Sequence, residues 1–352
     1  MTQIAEKAAN SPMPELPEVE YVARQLRAGV IGRRIVRAQV LWERAIQGMT
    51  PDAFTRQIVG RRITAIGRRA KYLLITLAPT NENVGADKNS DMQDTQDTGD
   101  TRILVVHRRM SGNLLLIAPE RAAPLADTAQ PSVEAFASAG ARYTQVALTL
   151  DNDALLLYTD PRKFGRLTLT VPDALPTFFA AIGPEPLDDA FTSEALAKRL
   201  TGKRAIKATL LDQAVIAGLG NIYADESLFR AGIHPLRPAD SLTSNEVTAL
   251  HAGIRGALET GITHGGTTFG RHRDIYDEAG TNLEHVEVYQ HTGQPCPRCG
   301  TPIQRIVVTQ RGTHFCPNCQ PLGNVSHGNA PTDASEHLVR SNKLKASGTH
   351  VR

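Results

Sequence analysis

The octapeptide Met13-Pro14-Glu15-Leu16-Pro17-Glu18-Val19-Glu20 holds the residues best suited to covalent chemistry. A helix start accounts for Pro17 and Glu18, since proline fits the first turn and the helix dipole favours carboxylates there. It gives no reason for Pro14-Glu15. If the chain begins at Met13 and that Met is removed, Pro14 becomes a terminal secondary amine. Such an amine can attack the anomeric carbon of a deoxynucleotide, displace the base and form an iminium with the ring-opened sugar. An α-amino group has a reference pKa of about 7.7–8.0, so a useful neutral fraction exists at pH 7. Glu15 is the adjacent group for moving protons at the sugar ring or the leaving base. Residues 1–13 are accordingly expected to be an extension or a mis-assigned start.

The second cluster is Cys296-x-x-Cys299 and Cys316-x-x-Cys319, two pairs separated by sixteen residues. Each pair forms a tight knuckle offering two thiolates to one ion. The stretch between them is long enough for a β-hairpin that brings the knuckles together. Four thiolates with no open position predict one structural Zn2+ rather than a disulfide framework.

The chain has 352 residues and a formal net charge of +3, which hides two contrasting segments. Residues 14–75 carry twelve Lys or Arg against five Asp or Glu, whereas 79–101 carry six acidic residues against Lys88. An arginine-rich folded region is the electrostatic footprint of a nucleic-acid binder. No apolar run approaches the roughly 18 residues that span a bilayer, so no membrane partner is expected. The first dozen residues lack the apolar stretch of a signal peptide. These features predict a cytoplasmic protein, where cysteines serve metals more often than disulfides.

Positioning these residues requires an α+β chain of two domains. Val19, Val22 and Leu26 recur at helical spacing after Pro17. Strand-like runs follow at Ile35–Trp42, Ile63–Leu77, Ile103–Ile117, Tyr143–Leu150 and Leu155–Thr170, divided by turn residues. They predict an N-terminal antiparallel β-sandwich with flanking helices over 14–175. Segments 79–101 and 119–140, poor in large apolar side chains, are expected to be mobile surface insertions without a packing role. Gly183-Pro184-Glu185-Pro186 marks a hinge at 176–190. Helical texture then fills 191–287, a zinc finger 288–320 and a disordered tail 321–352. The helices are expected at Ser193–Leu200, Ala205–Leu211, Ile222–Ala231 and Asn245–Thr260.

The octapeptide resembles the amino terminus of the formamidopyrimidine-DNA glycosylases, and Leu16-Pro17 favours that branch over the endonuclease VIII branch. The likeness continues through Arg69-Ala70-Lys71-Tyr72-Leu73-Leu74, Met110-Ser111-Gly112, Asp160-Pro161-Arg162-Lys163-Phe164-Gly165, Gly220-Asn221-Ile222-Tyr223-Ala224 and Gly265-Gly266-Thr267-Thr268, and closes on the zinc spacing. It runs from Met13 to Gln320.

The resemblance implies a bifunctional glycosylase and abasic-site lyase, expected to act as a monomer on damaged double-stranded DNA, in a bacterial cytoplasm and on the nucleoid. Its substrates would be oxidised purines such as 8-oxoguanine and formamidopyrimidines. Excision would proceed by base flipping and attack from Pro14, followed by β,δ-elimination. Catalytic roles fall to Pro14, Glu15, Lys71 and Arg311, with Glu18 in support. Met110 and Phe164 would wedge the gap left by the flipped base, and Arg162 would bond the orphaned partner base. Leu210–Ser227 resembles the family's helix–two-turns–helix, where Asn221 would cap the second helix and offer N–H groups to a phosphate. Lys203, Arg204 and Lys207 just upstream are expected to meet DNA. The loop from Thr267 to about Glu284 would cover the extruded base. Two alternatives stand beside this reading: an endonuclease VIII-type glycosylase for oxidised pyrimidines, and a non-catalytic damaged-DNA-binding protein if Pro14 is never exposed.

Overall fold

The computed structural model describes residues 13–80, 101–126, 131–138, 140–268 and 273–322. The expected extension before Met13, most of the acidic insertion, the charged tip of the lesion loop (269–272) and the tail beyond 322 lie outside the described residues.

Pro17 near its start and the recurrence of Val19, Val22, Ala23 and Leu26 make Leu16–Val30 a helix, α1, with one buried stripe. It is followed by β1 (Ile35–Val40), a two-residue β2 (Ile46–Gln47) and α2 (Pro51–Ile58). The last is a helix not anticipated from the sequence; Thr50 caps it by accepting a hydrogen bond from the Ala53 N–H.

Three of the strand-like runs are each folded in two. Ile63–Leu77 becomes β3 (Arg62–Arg69) and β4 (Tyr72–Ala78). Ile103–Ile117 becomes β5 (Arg102–His107) and β6 (Asn113–Ile117). After α3 (Pro119–Ala126), α4 (Val133–Ser138) and β7 (Thr144–Leu150), the run Leu155–Thr170 becomes β8 (Leu155–Thr159) and β9 (Arg166–Thr170). Each break is a turn with one non-glycine residue at positive φ: Ala70 at 51°, Arg109 at 53° and Lys163 at 59°.

The strands form a four-stranded sheet, β1-β7-β8-β6, and a five-stranded sheet, β2-β9-β5-β4-β3. All pairs are antiparallel except β2 with β9. Register places Tyr72 beside His107, and His107 beside Arg166. The three broken turns, which carry Lys71, Met110 and Arg162–Phe164, therefore gather at one end of the sandwich. Its core joins Leu73, Ile75, Leu104, Val106, Val146, Leu156 and Leu167 to the buried stripe of α1.

The segment 119–140 corrects the expectation of an insertion without packing. Its helices α3 and α4 supply Ala122, Leu125 and Phe136 to a separate apolar cluster with Leu115, Ile117, Ala147, Leu155 and Leu157. They cover the outer face of the four-stranded sheet, which is why β7 and β8 are buried along their full length.

Beyond α5 (Leu175–Phe178), the helices α6 (Ser193–Ala197), α7 (Ile206–Leu210), α8 (Asn221–Ala231) and α9 (Ser244–Thr263) follow the expected order. They share a core of Ile206, Leu219, Tyr223, Leu250 and Leu258 with Leu16 from the start of α1. Strands β10 (Gln304–Val308) and β11 (Arg311–Phe315) form the expected hairpin between the two cysteine pairs. Among the described residues no helix is long and apolar enough to cross a membrane.

Candidate active site

The first turn of α1 is pinned between the sandwich and the helices. Leu16 enters the helical core while Val19 enters the sandwich core, and the Leu16 N–H donates to the Gly218 carbonyl at 3.0 Å. Both carboxylates of the octapeptide are turned inward. The Glu15 carboxylate accepts hydrogen bonds from the Ile222 and Tyr223 N–H groups at 3.0 and 3.3 Å. It thereby satisfies orphan donors in the first turn of α8. A side chain at position 220 would overlap that carboxylate, so the close approach requires glycine there. Glu18 accepts from the Glu15 N–H at 2.8 Å, the Tyr223 hydroxyl at 2.7 Å and the Thr267 N–H at 2.8 Å. Asn282 completes this network by donating to the Thr267 hydroxyl at 2.7 Å.

Pro14, Glu15 and Lys71 are all buried at this junction. Burial pushes the Glu15 carboxyl up to about 7, against the opposing pull of Lys71. Burial likewise lowers the Lys71 ammonium, with Glu15 acting the other way and Arg311 adding to the depression. Desolvation, with Arg109 and Lys71 nearby, brings His107 down to about 4, so its imidazole is neutral at pH 7. The turn before Lys71 is fixed by Glu185, from the expected hinge. It accepts from Arg68, Arg69 and the Ala70 N–H at 2.6, 2.8 and 2.6 Å.

An open cleft of about 890 Å³ lies over this junction, lined by Met13, Met110, Phe164, Asn221, Arg305 and Arg311 among others. It brings together side chains from the octapeptide, two sandwich turns, the start of α8 and the zinc hairpin. The Phe164 turn is organised by Asp160, which is fully buried. Its carboxylate accepts from the Arg162, Phe164 and Gly165 N–H groups at 3.0, 2.8 and 2.7 Å, and from the Ser111 hydroxyl beside Met110. Phe164 is exposed, with the Arg162 guanidinium 4.9 Å over its ring.

The four cysteine sulfurs lie within 4.8 Å of one another. Pairs at 3.5 and 3.9 Å suit a tetrahedral zinc, whose sulfur ligands at about 2.3 Å stand roughly 3.8 Å apart. The residues fit one structural Zn2+ with no open position. Phe229 of α8 packs against Cys296, Ile303 and Cys316, which joins the zinc module to the helices.

Two expectations are corrected here. Lys207 does not face DNA: it is 0 % exposed and pairs with Asp225 of α8 at 2.6 Å. Its ammonium also donates to the Thr313 hydroxyl at 2.8 Å and the Gly312 carbonyl at 3.2 Å, so it fastens the zinc hairpin. Asn221 is not the cap of α8, which is Gly220; its side chain donates to the Gly312 carbonyl at 3.0 Å. Lys203 and Arg204 are exposed but do not line the cleft, and Arg204 pairs with Asp212 at 3.1 Å. Sequence reasoning quoted Asp160 and Tyr223 within motifs without giving them a role, and assigned none to Asp225 or Arg305. The Asp-Pro turn signal and the alternation of the hairpin strand could have drawn attention to the first and last; nothing local marks the pairing of Asp225.

Comparison with known proteins agrees along the chain. Residues 13–167 match the formamidopyrimidine-DNA glycosylase N-terminal domain, 182–272 its H2TH domain, and 293–322 a zinc finger found in FPG and IleRS. The chain is 46 % identical over 310 residues to the formamidopyrimidine-DNA glycosylase of Roseiflexus sp. (88 % of this chain, all of the relative). The same enzyme of Herpetosiphon aurantiacus is 44 % identical with the same coverage. The Lactococcus lactis Fpg in complex with DNA containing an abasic site superposes with a TM-score of 0.69 at 30 % identity, covering 87 % of this chain and 99 % of that one. A zinc-bearing α+β glycosylase scaffold is the class these features define. The chain belongs to the formamidopyrimidine-DNA glycosylase family, whose members are base-excision repair enzymes with lyase activity at abasic sites.

Proposed function

We propose that the chain removes oxidised purines, 8-oxoguanine and formamidopyrimidines, from duplex DNA and then cleaves the abasic site by β,δ-elimination. The observation that carries this reading is the burial of Pro14 beside Glu15 and Lys71 under the cleft, with the family match opening at residue 13. A free Pro14 nitrogen attacks the anomeric carbon; the base departs with its bonding electrons and takes up a proton. Glu15, held near 7, takes up as carboxylate the proton that the attacking Pro14 nitrogen sheds, and once protonated donates to the ring oxygen as the sugar opens to the iminium. The resulting iminium acidifies the C2′–H, whose loss expels the 3′ phosphate; loss of a second proton, from C4′ of the conjugated iminium, then expels the 5′ phosphate. Lys71 assists this elimination, and Arg311 grips the phosphates beside the lesion and serves the second step. Met110 and Phe164 fill the gap in the stack, and Arg162 bonds the widowed base. A peptide bond to Met13 withdraws the Pro14 lone pair by resonance, so the active form begins at Pro14.

Duplexes carrying 8-oxoguanine, a formamidopyrimidine or an oxidised thymine test the substrate class in one nicking assay. Faster cutting at the two purine lesions supports the proposal. A preference for the pyrimidine lesion would replace it with the endonuclease VIII-type reading. Binding without cutting by a chain starting at Pro14 would leave a damage-binding protein.

A further inference from the structure

The zinc hairpin carries a second guanidinium besides Arg311. Arg305 on β10 is exposed, lines the cleft, and has no acidic partner among the described residues. Register pairs Arg305 with His314 and Val307 with Gly312, so Gly312 is the diagonal neighbour of Arg305 on the same face. The missing side chain there is a shelf: a Cβ at 312 would lie 2.8–3.2 Å from the nitrogens and central carbon of the guanidinium. The shelf itself is fixed from behind, because the Gly312 carbonyl accepts from both Lys207 and Asn221. A planar cation laid over an anchored glycine, unpaired and facing an open cleft, is preorganised for an anion with two acceptor oxygens.

We infer that Arg305 is a phosphate-binding residue of the duplex, holding a DNA phosphodiester separate from that of Arg311, with Gly312 as its positioning residue. This rests on the reading of the cleft as the DNA site. The fork would fit a phosphodiester or a guanine edge alike, and the phosphodiester is favoured because a lesion occurs in any flanking sequence and phosphate contacts position the duplex without reading it.

The test is titration of the full-length zinc-loaded protein with a duplex containing a tetrahydrofuran abasic analogue, at several salt concentrations. Each phosphate contact contributes about 0.9 to the slope of log K against log salt. Arg305→Ala is expected to lower the slope by about that amount and to weaken binding about tenfold at low salt. Arg305→Lys should keep the slope, since the charge remains, while binding less tightly. Gly312→Ala keeps the charge and so should keep the slope, but by pushing the guanidinium off the shelf it should weaken binding as Arg305→Lys does. Zinc content is measured on each variant; if Arg305→Ala loses zinc, Arg305→Gln decides by the same slope. A slope unchanged in the charge-removing variants overturns the inference, and unchanged affinity in Gly312→Ala overturns the shelf. Failure of the unmodified protein to prefer the abasic duplex would instead strike at the reading of the cleft.

Discussion

At the scale of single residues, environment sets the chemistry of Glu15. The raised carboxyl has a direct consequence for stability. Between about 4.5 and 7 the folded protein holds a proton that the unfolded chain has released, so stability falls as pH rises through that window and levels off above it. Glu226 adds the same trend, since burial also brings it to about 7. Glu15→Gln should therefore melt higher than the parent at pH 8, by up to about 3 kcal/mol, and differ little at pH 4. Thermal melts across pH 4–8 check this; a difference independent of pH would contradict the buried, nearly neutral carboxyl. The octapeptide was legible in the sequence because Pro14-Glu15 had no helical reason to be there. Lys207 was misread for an equally physical reason. It follows Lys203 and Arg204, so it reads as part of a solvated basic patch, but its partner Asp225 arrives from α8 through tertiary packing.

At the scale of elements, strand ends place the residues of the site. Lys71, Met110 and Phe164 come from three turns that register brings to one end of the sandwich. Ser111-Gly112-Asn113 made the break within Ile103–Ile117 readable as a turn, whereas the break at Ala70 was not, because neither Ala70 nor Lys71 is a turn former by composition. Asp160 is the element-scale hub. Asp160→Ala should cost about 3 kcal/mol or more in a urea titration, since three backbone donors, one buried and two part-buried, lose a fully buried charged acceptor. Excision from intact duplex should fall further than cutting at a preformed abasic site, where no base has to be replaced in the stack. A loss under 1 kcal/mol, or equal loss on both substrates, would mean the turn holds its shape without Asp160. The helices α3 and α4 escaped sequence reading because their buried positions are few and partly alanine, so periodicity was faint. Phe136→Ala should destabilise by about 3–5 kcal/mol, the range for a core aromatic, whereas a freely mobile insertion would lose nothing.

At the scale of the molecule, the helical half, the zinc module and the octapeptide are locked through α8. Glu15 satisfies its first turn, Asp225 fastens the hairpin through Lys207 and His314, and Phe229 packs on the zinc knuckles. The zinc spacing was legible to the residue because metal ligation demands it; this cross-bracing was not, because it joins residues as far apart as Glu15 and Ile222. Removing zinc with a chelator, or Cys316→Ala, should unfold the hairpin carrying Arg311 and abolish binding to abasic duplex while the sandwich keeps its sheet signal in circular dichroism. Unchanged affinity after chelation would show that the hairpin takes no part in gripping DNA.

The central claim is that the Pro14 nitrogen forms the covalent bond to the sugar. Two versions of the protein, one starting at Pro14 and one retaining residues 1–13, are mixed with lesion-bearing duplex and borohydride, which reduces an iminium to a stable amine. The version starting at Pro14 should be trapped on DNA through its first residue, as mapped by mass spectrometry, and Pro14→Gly should trap poorly. Equal trapping by the longer version with its extension still attached would make another amine, Lys71 foremost, the nucleophile and would contradict the account.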